Sequence, residues 1–81
     1  MESRAFIKTA TSLIERVTNT PAHHATREEE QALQKKINQA FIDLQNPTLP
    51  SAYRLRDAAL KNGYSVSSQV QQRLAQFENL N

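Results

Sequence analysis

Cysteine and tryptophan are absent from this chain, and glycine occurs once, at Gly63. Without cysteine no disulfide can staple the fold and no thiolate can act as a nucleophile. A lone glycine excludes the glycine-rich loops that cradle phosphates. One glycine and three prolines leave few tight turns for hairpins, which favours helices over a sheet. No apolar run approaches the roughly 20 residues that a bilayer span requires. The N-terminal segment lacks the unbroken apolar core of a secretory signal, because Lys8, Thr9, Thr11 and Ser12 interrupt it. These absences suggest a soluble protein with a cytoplasmic address.

What the chain does contain is helix-forming: Gln, Ala, Leu, Lys, Arg and Glu are abundant. Its 81 residues make one domain, 1–81. A domain of this size buries only about 60% of its extended-chain surface, so the core must be thin. Net charge is +2. The C-terminal third is the most basic part, with Arg54, Arg56, Lys61 and Arg73 against Asp57 and Glu78. Such a face suits an acidic protein surface, lipid headgroups or nucleic acid.

Apolar spacing predicts four helices. Phe6, Ile7, Ala10, Leu13, Ile14 and Val17 form the first stripe, at steps of three and four. Thr18-Asn19-Thr20-Pro21 ends it, since the residue before a proline avoids the helical region. Residues 18–25 read as a loop holding His23 and His24. Adjacent loop histidines seldom chelate one metal, so these read as solvated. Thr26 and Glu29 form a capping box for the second helix, and Glu28, Glu29 and Glu30 in its first turn complement the helix dipole. Its stripe is Leu33, Ile37, Ala40, Phe41, Leu44, ending at Gln45-Asn46-Pro47. Pro50 suits the first turn of a third helix. There Ala52, Leu55, Ala59 and Leu60 face inward, Tyr53 and Arg56 flank them, and Asp57 and Lys61 make an exposed pair. Lys61-Asn62-Gly63 stops that helix, because glycine tolerates the left-handed backbone of a helix end. Ser65 or Ser67 caps the fourth helix, whose stripe is Val66, Val70, Leu74, Phe77 and Leu80. Short loops between consecutive helices favour antiparallel neighbours, so the expected fold is an all-α antiparallel four-helix bundle.

The sequence offers no catalytic constellation of nucleophile, base and orienter, and the expectation is a non-enzyme without metal or cofactor. A surface for partners remains. Arginine and tyrosine, the residue types enriched at binding hot spots, gather on the last two helices.

The run Lys61-Asn62-Gly63-Tyr64-Ser65-Val66, followed by Gln69, Gln72, Arg73, Leu74, Phe77 and Leu80, resembles the last helical hairpin of the immunity proteins for class IIa (pediocin-like) bacteriocins. Leu49-Pro50, followed by an arginine-bearing helix, looks like the start of their third helix. The resemblance implies a cytosolic antiparallel four-helix bundle that protects a bacteriocin producer from its own peptide. Its partners would be membrane components of the mannose phosphotransferase system with bound bacteriocin, met from the cytoplasmic side. Weak contact with the anionic inner leaflet would assist, with neither nucleic acid nor a small-molecule substrate involved. Arg54, Arg56, Lys61, Tyr64, Gln72 and Arg73 are then the candidate partner contacts, with Gly63 and Leu74 structural. The basic residues alone also suit a small nucleic-acid-binding module, and the bundle alone a helical protein adaptor.

Overall fold

The structure is a computed structural model, and it describes residues 3–78. Four α-helices carry the chain: α1 (Ser3–Asn19), α2 (Arg27–Asp43), α3 (Pro50–Lys61) and α4 (Ser68–Glu78). A single 3-10 turn, Ala22–His24, lies between α1 and α2. There is no strand among the described residues, so the fold is all-α.

Local chemistry sets the helix ends. The α2 capping box is complete: the Glu29 N–H donates to the Thr26 hydroxyl at 3.1 Å, and the Thr26 N–H donates to the Glu29 carboxylate at 2.9 Å. Between α2 and α3, the Asn46 side chain accepts from the backbone N–H of Thr48 at 3.0 Å, which folds the chain into a turn and positions Pro50 at the start of α3. Ser67, not Ser65, caps α4, accepting from the Val70 N–H at 3.2 Å.

The end of α3 is a Schellman motif built on the lone glycine. Gly63 has φ +88°. Its N–H donates to the Leu60 carbonyl at 3.2 Å, and the Tyr64 N–H reaches back to the Ala59 carbonyl at 2.9 Å. This pairing satisfies helix-end carbonyls that would otherwise be orphaned. It also turns Tyr64 inward.

Polar links across the bundle reveal the sense of each helix. The Ala22 N–H donates to the Asn62 carbonyl at 2.8 Å, and the Tyr64 hydroxyl donates to the Thr20 carbonyl at 2.5 Å. The C-terminal ends of α1 and α3 therefore lie together, and these two helices run in the same sense. Gln34 of α2 meets Ser65 just before α4, and Arg73 of α4 meets Leu44 just after α2. Thus α2 and α4 run together. Arg56, midway along α3, meets Glu78 at the end of α4, so α3 and α4 are opposed. Consecutive helices alternate in direction.

One core serves all four helices. Phe6, Ala10, Leu13 and Val17 of α1 meet Leu33, Ile37, Ala40 and Phe41 of α2, Ala52, Leu55 and Ala59 of α3, and Leu74 of α4. Leu44, Tyr64 and Val66, all outside helices, complete it. The Phe6 and Phe41 rings pack at 6.4 Å between centroids. Packing between α1 and α3 is the most extensive of any helix pair. The fully buried Ala10, Ala52 and Ala59 explain it, since small side chains at a contact shorten the interaxial distance.

The expected stripes need correction at their edges. Ile7 is 41% exposed and Leu60 43% exposed. Each lies about a quarter turn from the core line of its helix, and a thin core reaches only that line. Asp57 pairs with its neighbour Arg56 at 2.9 Å in place of Lys61. Leu80 lies outside the described residues.

Candidate functional site

The six residues expected to form a contact surface divide into those that face solvent and those used to hold the bundle together. Tyr64 is the clearest correction. It is 4% exposed, with its ring in the core and its hydroxyl on the Thr20 carbonyl. Burial raises its pKa above the usual phenol value, and the carboxylates of Glu30 and Glu29 add to the shift. Its place just past Gly63 accounts for this, because the residue after a Schellman glycine packs back on the helix it ends.

Arg56 is likewise internal in its bonding. Its guanidinium grips the Glu78 carboxylate through two bonds of 3.2 and 3.0 Å, and its Nε donates to Asp57. It also lies 5.3 Å from the centre of the Tyr53 ring. The hydrogen bonds to Glu78 raise its pKa further, partial burial opposes them, and Asp57 adds to the increase. The side chain is only 14% exposed, so this group clasps α3 to α4. Arg73 reaches from α4 to the carbonyls of Leu44 and Gln45, at 3.2 and 3.4 Å. The last turn of α2 holds no basic residue of its own, so Arg73 supplies the cation that a helix C-terminus favours.

Arg54, Lys61 and Gln72 are exposed, and so is Arg73 despite its bonds to the end of α2. The side chains of Arg54, Lys61 and Gln72 make no hydrogen bond or ion pair among the described residues. Arg54 and Lys61 stand two turns apart on one face of α3. Gln72 sits exposed on α4. Of the cations expected at the corner, Arg54 and Lys61 are those whose side chains hold no bond among the described residues.

The corner is tied to the rest of the bundle by hydrogen bonds. Gln34 reads the backbone of Ser65 twice, accepting from its N–H and donating to its carbonyl, both at 2.8 Å. With the Ala22–Asn62 and Tyr64–Thr20 bonds, this ties the link between α3 and α4 to both α2 and the loop after α1. Gln34 carries no motif, and its role depends on α2 passing beside Ser65.

A second surface escaped sequence reasoning. Between α1 and α2 runs an open cleft of about 500 Å³, lined by Lys8, Thr9, Ser12, Leu13, Arg16, Lys36, Gln39, Ala40 and Asp43. The side chains of Lys8, Arg16 and Lys36 make no hydrogen bond or ion pair among the described residues. Asp43 is engaged by the Gln39 amide at 3.1 Å. Arg16 also borders a second, separate depression lined by Asn19, Thr20, Glu28, Glu29, Ala32 and Leu33, where the charge turns acidic. The available signal was positional: Lys8 and Arg16 flank Leu13 on α1, as Lys36 flanks Ala40 on α2, but only the helix pairing brings them together.

His23 and His24 are exposed in the 3-10 turn, their rings 4.1 Å apart. Among the described residues, no group of three His, Asp or Glu side chains is placed to hold a metal ion. No described helix is long and apolar enough to cross a membrane. Comparison with protein families, with curated proteins and with solved structures finds no match to this chain.

Proposed function

We propose that this protein is a non-catalytic helical bundle that binds a partner protein through the outer face of its α3–α4 corner, as a class IIa bacteriocin immunity protein. On this reading it acts from the cytoplasmic side on mannose phosphotransferase components carrying bound bacteriocin and prevents lethal permeability. The observation that carries the reading is the corner. The Lys61-Asn62-Gly63 turn is a Schellman motif anchored to the rest of the bundle by Asn62, Tyr64 and the Gln34–Ser65 pair. A corner held this way loses little conformational freedom when a partner docks. The side chains of Arg54 and Lys61, on the helix it ends, have no partner to give up among the described residues. A weakly basic bundle is drawn toward an anionic leaflet by about 1 kcal/mol for each nearby Lys or Arg, enough to bias position and too little to anchor. Specificity then rests on the protein contact.

The test is protection. Expression in a sensitive cell should rescue growth against at least one peptide in a panel of class IIa bacteriocins. An Arg54→Gln/Lys61→Gln variant, which puts no anion at the C-terminus of α3, should lose that rescue while keeping its helical content. Unchanged killing across the panel by the wild-type chain would overturn the proposal.

A further inference from the structure

We propose that the cleft between α1 and α2 is a docking groove for an acidic helical segment of a partner protein, a surface separate from the α3–α4 corner. The cleft is bounded by two antiparallel helices and floored by Leu13 and Ala40. Cations line it: Lys8 and Arg16 from α1, Lys36 from α2. All three side chains are exposed and uncommitted among the described residues.

The spacing of these charges selects the class of ligand. Lys8 and Arg16 stand a little over two turns apart on α1, about 12 Å along its axis. Lys8 and Arg16, so spread, do not converge on one phosphate or one carboxylate. They match carboxylates repeated over two turns of a helix, as in the general mode where an amphipathic helix lies in a groove. A small or apolar residue between the carboxylates would rest on Leu13 and Ala40. Beyond Arg16 the neighbouring depression turns acidic at Glu28 and Glu29, which gives the ligand a direction. Its carboxylates belong between the Lys8–Lys36 end and Arg16, and like charge would repel them beyond Arg16. The inference does not depend on the immunity reading, because the residues lie on different helices from Arg54 and Lys61.

The probe is an alanine-based peptide of about 16 residues, long enough to form helix in water. It carries glutamates at every fourth position, and its control carries glutamine at the same positions. Titration into the full ¹⁵N-labelled chain should shift the amides of Thr9, Ser12, Leu13, Gln39 and Ala40, and the glutamine control should not. A Lys8→Glu/Lys36→Glu variant should bind the acidic peptide roughly tenfold more weakly, and added salt should weaken the wild-type complex. A Lys8→Gln/Lys36→Gln variant, which adds no repulsion with Asp43, should show a smaller loss in the same direction. Both lysines are exposed, so circular dichroism melts of the variants should match the wild type. The proposal would be overturned by shifts centred on Arg54 and Lys61, equal binding of the glutamine peptide, undiminished binding by both lysine variants, or the same amide shifts produced by inorganic phosphate at matched charge concentration. Concentration-dependent shifts at these amides without peptide would also overturn it, because a second copy of the chain would then be the occupant.

Discussion

Replacing Gly63 tests the corner on which the partner-binding account depends. Two separable costs act there. Gly63 has φ +88°, a conformation that costs a non-glycine residue about 1–2 kcal/mol. A Cβ at this position would also stand 3.1 Å from the Ala22 Cβ. Ala22 cannot retreat freely, because its N–H is bonded to the Asn62 carbonyl at 2.8 Å. Stretching that bond forfeits part of the roughly 1 kcal/mol that such a bond contributes. Against these costs, alanine reduces the entropy of the unfolded chain by about 0.4–1 kcal/mol. Gly63→Ala should therefore destabilise by about 1–2 kcal/mol. Gly63→Val should cost about 3 kcal/mol, because a β-branched side chain is a true outlier at positive φ. In a domain this small, each kcal/mol lowers the melting midpoint by about 4–8 °C. Circular dichroism at 222 nm, in thermal and urea melts, reads both variants. Placing Gly63→Ala in an Ala22→Gly background removes the crowding and leaves the backbone cost, so a double-mutant cycle should recover about 0.5 kcal/mol of coupling. A Gly63→Val melt that coincides with the wild type would refute the reasoning outright.

Other substitutions probe the core, the hydroxyls and the α2 cap. Leu74 is the buried anchor of α4, so Leu74→Ala should cost roughly 2–5 kcal/mol, and an unchanged denaturation midpoint would place it at the surface. The two tyrosines should respond oppositely to loss of the hydroxyl. Tyr64→Phe forfeits the bond to Thr20 and should lose about 1 kcal/mol, whereas the buried Tyr53 hydroxyl has no partner among the described residues, so Tyr53→Phe should be neutral or stabilising in the same melts. The Glu29 carboxyl is held below its ordinary pKa by the Thr26 N–H and then by the Thr26 hydroxyl. A depressed carboxyl contributes stability above its unfolded value, about 4.3, and that contribution fades as pH falls through the lower folded value. Stability measured from pH 6 downward should therefore decline less steeply in Glu29→Gln than in the wild type, and parallel curves would remove the cap from the acid response.

Features set by neighbours along the chain were legible in the sequence. The Thr26–Glu29 box, the proline start of α3 and the stop at Gly63 depend on local backbone chemistry, and all are present. The buried lines of α1, α2 and α3 follow the 3.6-residue period, with errors only at Ile7 and Leu60, where the depth of burial depends on which helix lies opposite. The site was less legible because it depends on contacts distant in sequence. Composition marks Arg56, Tyr64 and Arg73 as binding residues, yet each is occupied by a group far along the chain: Glu78, Thr20, and Leu44 with Gln45. The α1–α2 cleft was hidden for the same reason. Its cations look like ordinary solvated charge until the two helices are laid side by side.

Amide hydrogen exchange across the α3–α4 corner tests the central claim most directly. The amides of Ala22, Tyr64 and Ser65 donate to Asn62, Ala59 and the Gln34 side chain, and two of the three cross between separate parts of the bundle. If the corner is locked to the body of the protein, all three should exchange near the rate of global unfolding, alongside the core amides of α1. Exchange at the rate of an open loop, while α1 stays protected, would contradict it.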